Sequence, residues 1–314
     1  MKTSFVLLLA AVTGAADEPQ RPRIVADAHM AIYVSDLEKA RIFYKDFLGY
    51  AEPFALKAKN SDRDRIAFIK INEDQYLELF AEKPREEGLQ LNHISFATDD
   101  APAMHKYLAS RGVKVPEKVG KGQIGNSNFN INDPDGHIVE IVQYEPDGWT
   151  RREKGKFLPD TRISTHMTHF GVVIGSLDAA MKFYGGVLGF EDIWRGPPNA
   201  KLLSWVNMRV PDGADYLEFM LYSPSKPITT QSQKGTKNHI CLLVRDIEKA
   251  VAVLESRRAK TGYNKPMEIK VGQNGKRQVN LFDPDETRVE LMEPNTFDGK
   301  PVPASTAPAP MPMN

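Results

Sequence analysis

The chain has 314 residues, and its 41 Lys and Arg residues balance 41 Asp and Glu residues, so its formal net charge is zero. At roughly 100–200 residues per domain, this length predicts two domains, each able to bury a core. The charge balance argues against nucleic-acid binding, which normally needs a concentrated basic surface. A single cysteine, Cys241, excludes an intramolecular disulfide and any paired-cysteine zinc or redox motif.

The N-terminus has the order of a secretory signal peptide. Lys2 precedes an apolar run from Phe5 to Val12, and small residues and then acidic ones follow. The run is too short to span a bilayer, and no cysteine stands nearby to carry a lipid. We expect residues 1–16 to be a signal peptide and the mature protein to be exported, periplasmic or secreted, without a membrane anchor.

An internal repeat divides the rest of the chain. The segment Phe-Tyr-x-x-x-Leu-Gly at 43–49 recurs at 183–189, and Tyr-Leu-Glu at 76–78 recurs at 216–218. Asn-His-Ile and Asp-Pro-Asp segments recur further along the chain at larger offsets, which indicate insertions in loops. The repeat therefore predicts two homologous domains.

The repeat and the composition together predict the domain boundaries. We place the first domain at 27–146 and the second at 165–296, joined by a polar, solvated linker at 147–164. The Pro- and Ala-rich segment 297–314 is predicted to be a disordered tail, because its prolines cannot donate backbone hydrogen bonds to a helix or a sheet.

Each domain also repeats a shorter unit twice. In all four units a histidine begins an apolar run, and a helix-capping residue stands seven positions later. The pairs are His29 with Asp36, His93 with Asp100, His169 with Ser176 and His239 with Asp246. Amphipathic helical patterns and further strand-like runs follow, and each Asp-Pro-Asp segment predicts a tight turn before the last strand. The unit is therefore predicted to be a strand, a helix and further strands, and the expected fold class is α+β.

Four positions recur in each domain in the order His, Glu, His, Glu. They are His29, Glu78, His93 and Glu140 in the first domain, and His169, Glu218, His239 and Glu290 in the second. Each Glu stands inside an apolar strand pattern, where a carboxylate without a partner is costly. Histidine and carboxylate are ligands of borderline divalent metals. We predict that these eight residues are metal ligands, with up to two metal ions per chain. The other histidines, His105, His137 and His166, lack the repeated placement and are predicted to be surface or structural residues.

The set of motifs resembles the vicinal oxygen chelate superfamily, also called the glyoxalase, bleomycin-resistance and extradiol dioxygenase superfamily. The resemblance is carried by the His-led strands, the Phe-Tyr-x-x-x-Leu-Gly helix ends, Leu-Glu-Leu, Asn-His-Ile, and Asp-Pro-Asp with a Glu seven residues after its first Asp. It implies a glyoxalase-like fold, in which paired βαβββ modules form a cup-shaped mixed sheet around a divalent metal. A small-molecule substrate is implied, but one particular reaction is not.

The complete His-Glu-His-Glu set resembles that of glyoxalase I. Two carboxylates neutralise a divalent ion, which suits proton transfer next to a carbonyl, with Glu140 or Glu290 as the catalytic base. We therefore expect an isomerase or a lactoylglutathione lyase-like enzyme that uses nickel, zinc, cobalt, manganese or iron. Two alternatives stay open. One is a non-haem iron extradiol-type dioxygenase that uses two His and the last Glu of each set, and the other is a non-catalytic small-molecule binding protein.

Overall fold

A computed structural model describes residues 19–82, 90–221 and 237–312 of the chain. The predicted signal peptide, 1–16, lies outside these residues. Within the described ranges, none of the helices has the length and apolar character needed to cross a membrane.

The first domain is one eight-stranded sheet built from two four-stranded modules. The first module comprises β1 (Ile24–Tyr33), β2 (Ala51–Lys57), β3 (Asp64–Lys70) and β4 (Tyr76–Phe80), and the second comprises β5 (Leu91–Thr98), β6 (Gly120–Lys121), β7 (Ser127–Asn132) and β8 (Ile138–Gln143). The strand order is β2-β3-β4-β1-β5-β8-β7-β6. β1 and β5 run antiparallel at the centre, and each is parallel to the last strand of its own module.

The second domain repeats this topology. Its modules are β9 (Met167–Ile174), β10 (Glu191–Gly196), β11 (Trp205–Arg209) and β12 (Tyr216–Leu221), followed by β13 (His239–Leu243), β14 (Lys270–Val271), β15 (Lys276–Phe282) and β16 (Arg288–Thr296). The order β10-β11-β12-β9-β13-β16-β15-β14 is that of the first sheet. The predicted fold class, tandem domains of paired modules with cup-shaped sheets, is confirmed.

The helices begin where the capping residues predicted. They are α1 (Leu37–Arg41), which continues as a π-helix over Ile42–Phe47, α2 (Ala101–Ser110), α3 (Trp149–Arg152), α4 (Leu177–Ala180), which continues as a π-helix over Met181–Val187, and α5 (Ile247–Thr261). The side chains of Asp36, Asp100, Ser176 and Asp246 each accept a hydrogen bond from a backbone N–H of the first turn. The π-helical turns were not predicted, because their wider hydrogen bonding leaves no distinct mark in an apolar pattern.

Two motifs found by the repeat connect the domains. The Tyr44 hydroxyl, in the π-helix after α1, donates to Asp283 Oδ2 over 3.1 Å. The Tyr184 hydroxyl donates to Asp133 Oδ2 over 3.0 Å in the reciprocal arrangement. Both tyrosines are fully buried, so the Phe-Tyr and Asp-Pro-Asp motifs build the interface between the two halves.

The linker and the described part of the tail both make contacts with the domains. Trp149 and Thr150 of the linker are buried, and Lys70 Nζ donates to the carbonyls of Glu153 and Lys156. The described part of the tail, 297–312, has no helix or strand, in line with its prolines, but it is anchored. A proline carbonyl can still accept, and Leu203 N donates to Pro308 O over 3.0 Å, while Ser305 N of the tail donates to Arg195 O over 2.8 Å. The disorder of the tail stays a prediction.

Candidate metal centres

Strand register brings the first His-Glu-His-Glu set together. β4, β1, β5 and β8 lie side by side, and each carries one member of the set. Ala31 pairs with both Glu78 and His93, while Ser95 pairs with both His29 and Glu140. Because side chains alternate along a strand, these placements put the four on the concave face of the sheet.

The four side chains meet at the floor of the first cup. His29 Nε2 lies 3.0 Å from His93 Nε2, 3.5 Å from Glu140 Oε1 and 3.8 Å from Glu78 Oε1. His93 Nε2 lies 3.9 Å from an oxygen of each carboxylate. Glu78 therefore faces the cup as directly as Glu140 does, and all four residues are at least nine-tenths buried.

Hydrogen bonds orient two of these residues. Asn92 Oδ1 lies 2.8 Å from His93 Nδ1, and an amide oxygen can only accept, so Nδ1 carries the proton and Nε2 presents its lone pair to the cup. Asn128 Nδ2 donates to Glu140 Oε2 over 3.2 Å, and Ser95 Oγ donates to the other carboxylate oxygen over 3.4 Å. The ligand atoms of His93 and Glu140 are thus held in place before any ion binds.

Burial shifts the pKa of three ionisable groups on this floor. Burial raises the pKa of Glu140 to about 7, against the hydrogen bonds from Asn128 and Ser95. Burial and then repulsion by Glu140 raise the pKa of Glu78 well above its usual range. The pKa of His29 is well below its usual range because of burial and the neighbouring His93. The floor therefore holds an energetically costly pair of carboxylates beside the neutral imidazole of His29.

A cavity of about 600 Å³ opens above this floor. Phe68, Tyr76 and Phe80 supply aromatic walls, and Tyr76 stacks on His29 at a ring distance of 4.6 Å. The opposite wall carries amide side chains, including Asn128. The volume is that of a small-molecule site, and the lining is mostly polar, which suits a substrate rich in oxygen atoms.

The second cup holds its set in nearly the same way. His169 Nε2 lies 3.1 Å from His239 Nε2 and 4.0 Å from Glu290 Oε2. His239 Nε2 lies 3.5 Å from Glu218 Oε2 and 3.3 Å from Glu290 Oε2. Cys241 occupies the position of Ser95 and groups with His169 and Glu290 at metal-ligand spacing.

The charges in the second cup differ from those in the first. Arg288 Nη2 lies 2.5 Å from His239 Nδ1. Burial opposes ionisation of Glu290, but the hydrogen bond from His239 and the charge of Arg288 outweigh it and lower the pKa of Glu290 to about 2. Burial and repulsion by Glu290 raise the pKa of Glu218 to about 8. The second cup therefore contains a fixed cation beside its carboxylates.

The residues of both cups suit a divalent cation. Two ligands at right angles, each about 2.1 Å from an ion, lie about 3 Å apart. The imidazole nitrogens stand at this spacing, 3.0 Å in the first cup and 3.1 Å in the second. Nitrogen and carboxylate oxygen donors are the borderline set that zinc, nickel, cobalt, manganese and iron accept, and an ion would offset the repulsion between the buried carboxylates.

The fold and the site define a protein of two tandem domains with cup-shaped sheets, each with one cluster of His and Glu side chains. Sequence comparison identifies its family. Residues 28–141 and 166–291 match the model of the Glyoxalase/Bleomycin resistance protein/Dioxygenase superfamily. Because the matches cover most of the chain, the chain belongs to this superfamily. The resemblance inferred from the repeated motifs is confirmed.

Comparisons with individual proteins find one sequence relative of part of this chain and several solved structures with a similar fold. The uncharacterized protein YaeR of Escherichia coli is 31% identical over 124 residues, which is 37% of this chain and 93% of YaeR. The 2,3-dioxygenase LapB from Pseudomonas sp. KL28 superposes with a TM-score of 0.67 at 16% identity, covering 91% of this chain and 99% of LapB. A homoprotocatechuate 2,3-dioxygenase variant from Brevibacterium fuscum superposes with a TM-score of 0.65 at 18% identity, covering 93% and 78%. At these identities, the two structural comparisons establish the shared fold.

Sequence reasoning missed the residues around the two sets. Ser95 and Asn128 contact Glu140, yet serine and asparagine in a strand carry no distinct signal. Arg288 and Cys241 each stand two positions from a set member on the same strand, and that alternation was an available signal. The other histidines have the structural roles expected of them: His137 pairs with Asp133, His166 with Asp215, and His105 with the Pro116 carbonyl.

Proposed function

We propose that the chain is a divalent-metal-dependent enzyme that binds a small molecule through two neighbouring oxygens, with ring-cleaving dioxygenase chemistry as the first candidate. The observation that carries the proposal is the convergence of His29, His93 and Glu140 beneath the open 600 Å³ cavity of the first cup. Two histidines and one carboxylate with open positions are the ligand set of non-haem iron oxygenases. The tandem fold shared with two 2,3-dioxygenases supports this candidate.

The residues around the floor suit a flat aromatic diol. Phe68 and Phe80 offer ring faces and edges to a planar substrate, and Tyr76 holds the His29 ring by stacking. When bound, a divalent ion would supply Lewis-acid and redox chemistry to the two substrate oxygens. Asn128 Nδ2 donates to one oxygen of Glu140 and so fixes the orientation of this carboxylate as a ligand.

Isomerase or lyase chemistry is the second candidate, and the inward orientation of Glu78 favours it. Glu78 Oε1 lies 3.8 Å from His29 Nε2, close to the 3.5 Å of Glu140 Oε1. With both carboxylates as ligands, the charge of a dication is neutralised and fewer positions remain open. That arrangement suits a substrate carbonyl and a carboxylate that moves its neighbouring proton.

One experiment separates the two candidates. The purified chain is stripped with chelator and reconstituted anaerobically with Fe(II), Ni(II), Zn(II), Co(II) or Mn(II). Oxygen uptake is then measured with a series of catechols, and aldehyde isomerisation is measured with hemithioacetals. A dioxygenase shows iron-dependent uptake that Glu140→Gln lowers about 100-fold or more and that Glu78→Gln lowers less than about tenfold.

An isomerase or lyase gives a different pattern. It shows no oxygen uptake, and both glutamate variants lose about 100-fold or more of the activity. Glu38→Gln is the matched control, because Glu38 lies on α1, pairs with Arg41 and does not line the cavity. Metal and ligand binding without turnover would identify a binding protein instead. Failure to bind any of the five metals would overturn the proposal.

A further inference from the structure

His239 in the second cup has two neighbours at one ring nitrogen, and they require opposite tautomers. The Lys237 carbonyl oxygen lies 2.8 Å from Nδ1, and Arg288 Nη2 lies 2.5 Å from the same atom. A carbonyl only accepts, so it needs a proton on Nδ1, whereas a guanidinium only donates, so it needs the Nδ1 lone pair.

The choice of tautomer decides whether His239 can bind a metal. When Arg288 donates to Nδ1, a neutral imidazole carries its proton on Nε2, and that N–H points towards Glu290 Oε2, 3.3 Å away. An Nε2 that carries a proton has no lone pair for a metal. When Nδ1 instead donates to the Lys237 carbonyl, Nε2 is available as a ligand. The Arg288 contact and metal ligation by His239 therefore exclude each other.

The first cup has no arginine at this position. Ile138 stands two residues before Glu140, as Arg288 stands two residues before Glu290. An aliphatic side chain offers no hydrogen-bond donor. His93 Nδ1 meets the amide oxygen of Asn92 at 2.8 Å, which favours the tautomer that binds metal.

A second replacement accompanies the arginine. Gly171 pairs with His239 in the register, where the first cup pairs Ala31 with His93. A Cβ added to Gly171 would lie 1.9 Å from His239 Cε1 and 2.0 Å from its Nδ1. The His239 ring thus occupies a place that only glycine leaves open, and its Nδ1 there contacts Arg288.

We propose that Arg288 competes with a divalent ion for His239, so that the two cups bind metal unequally and the first cup fills first. The inference rests on the proposed metal-dependent function. The positive charge of Arg288 should also weaken metal binding in the second cup, because Arg288 stands among its carboxylates. In the first cup, Arg65 lines the cavity near Glu78, but its charge is offset by Glu82, 2.9 Å away.

Co(II) titration of the chelated full chain tests this inference. Two classes of site are expected, and the second dissociation constant should be at least tenfold weaker than the first. His93→Ala should abolish the tight class, and His239→Ala the weak class. Arg288→Ile, which copies Ile138, should tighten the weak class tenfold or more, with the gain visible in the cobalt ligand-field absorption.

Two further variants test whether the result depends on folding or on net charge rather than on the hydrogen bond between Arg288 and His239. Ile138→Arg places the competitor in the roomy first cup and should weaken the tight class, so it tests the inference even if Arg288→Ile does not fold. Lys249→Ile removes one positive charge from a side chain that is 85% exposed, and it should leave both classes unchanged.

Two equal classes in the wild type, or no response of the weak class in a folded Arg288→Ile protein, would overturn the inference and leave the proposed function intact. Absence of cobalt binding in every variant would overturn both.

Discussion

Glu78 and Glu140 are ionisable groups placed where ionisation is costly. Each is at least nine-tenths buried, and they share one floor with the imidazoles of His29 and His93. Burying such a pair without a counter-ion destabilises the fold, so the arrangement makes physical sense as a cation site. The same energetic cost should make the stability of the chelated protein depend on pH.

The stability of the chelated protein should depend on pH through Glu140. Its folded pKa of about 7 is above the usual value of 4.5, so the folded state binds more protons than the unfolded state between these values. Stability from this group is therefore fully present below pH 4.5 and falls as the pH rises to 7, by about 3 kcal/mol in total. Glu140→Gln should remove this loss. Urea unfolding of chelated wild type and variant at pH 5 and pH 8 measures the difference.

A bound metal ion should suppress this pH dependence of stability. A divalent ion that binds only the folded state adds about 2.7 kcal/mol when its free concentration is 100 times the dissociation constant, and this increment should shrink in Glu140→Gln. The lowered pKa of His29 acts in the opposite sense, since its unfolded form takes up a proton below about pH 6.5, and it cancels in the comparison with the variant. Equal pH dependence in wild type and variant would assign Glu140 a structural role.

For individual residues, the sequence predicted functional candidates only where the same residue recurs in the repeated units. The two His-Glu-His-Glu sets were found because four units place them alike, and the structure brings each set together. Whether they bind metal stays a prediction. The competition at His239 was beyond sequence reasoning, because it depends on which of two contacts one nitrogen makes and on the space left by Gly171.

At the scale of elements, helix ends and turns explain why the two motif pairs are reciprocal. The π-helix after α1 presents Tyr44 to the Asp283 turn of the other domain, and the π-helix after α4 presents Tyr184 to the Asp133 turn. Asp283 Oδ1 also accepts from the backbone of its own turn at Asp285 and Thr287. Each turn thus closes a hairpin and receives a hydroxyl from the neighbouring domain.

Tyr44→Phe should destabilise the protein more than an ordinary lost hydroxyl. Burial raises the pKa of Asp283 to about 7, so this carboxylate is charged at pH 8 and loses one of its donors in the variant. We expect a loss of about 1–3 kcal/mol at pH 8 and a smaller loss at pH 5, where Asp283 is protonated. Tyr107→Phe is the control, because its hydroxyl donates across the domains to the neutral Val187 carbonyl. Thermal unfolding at both pH values gives the comparison, and equal losses in the two variants would show that the Asp283 charge is unimportant.

Element order was predictable from the sequence, and contacts between elements were not. Caps such as Asp36 and Asp100 act within one turn, so a local pattern reveals them. The packing of Trp149 and the anchoring of Pro308 depend on partners far along the chain. A polar or proline-rich composition lowers the chance of a core but does not forbid single hydrogen bonds.

At the scale of the whole molecule, the two cups form in separate domains whose cores are joined. Every residue of the first set lies between 29 and 140, and every residue of the second between 169 and 290, so each site is completed within one domain. Arg21, Ile24 and Asp27, near the start of the described chain, contact Asp212 and Asp215 of the second domain. The N-terminal segment after the predicted signal peptide therefore helps to hold the domains together.

The predicted export of the protein can be tested together with the contacts that the N-terminal segment makes between the domains. Arg21 Nη1 donates to Asp212 Oδ2 over 2.9 Å, and Ile24 N donates to the same oxygen over 2.9 Å, so residues of the predicted mature chain build this interface. Removal of residues 1–16 should leave it intact. Mass spectrometry of protein from its native compartment should find an N-terminus at Ala16 or Asp17, outside the cytosol. A chain expressed as 17–314 should melt at the same temperature and bind the same metal as the processed protein. Recovery of intact Met1 from cytosolic protein would contradict export, and a lower melting temperature of the 17–314 chain would show that residues 1–16 belong to the fold.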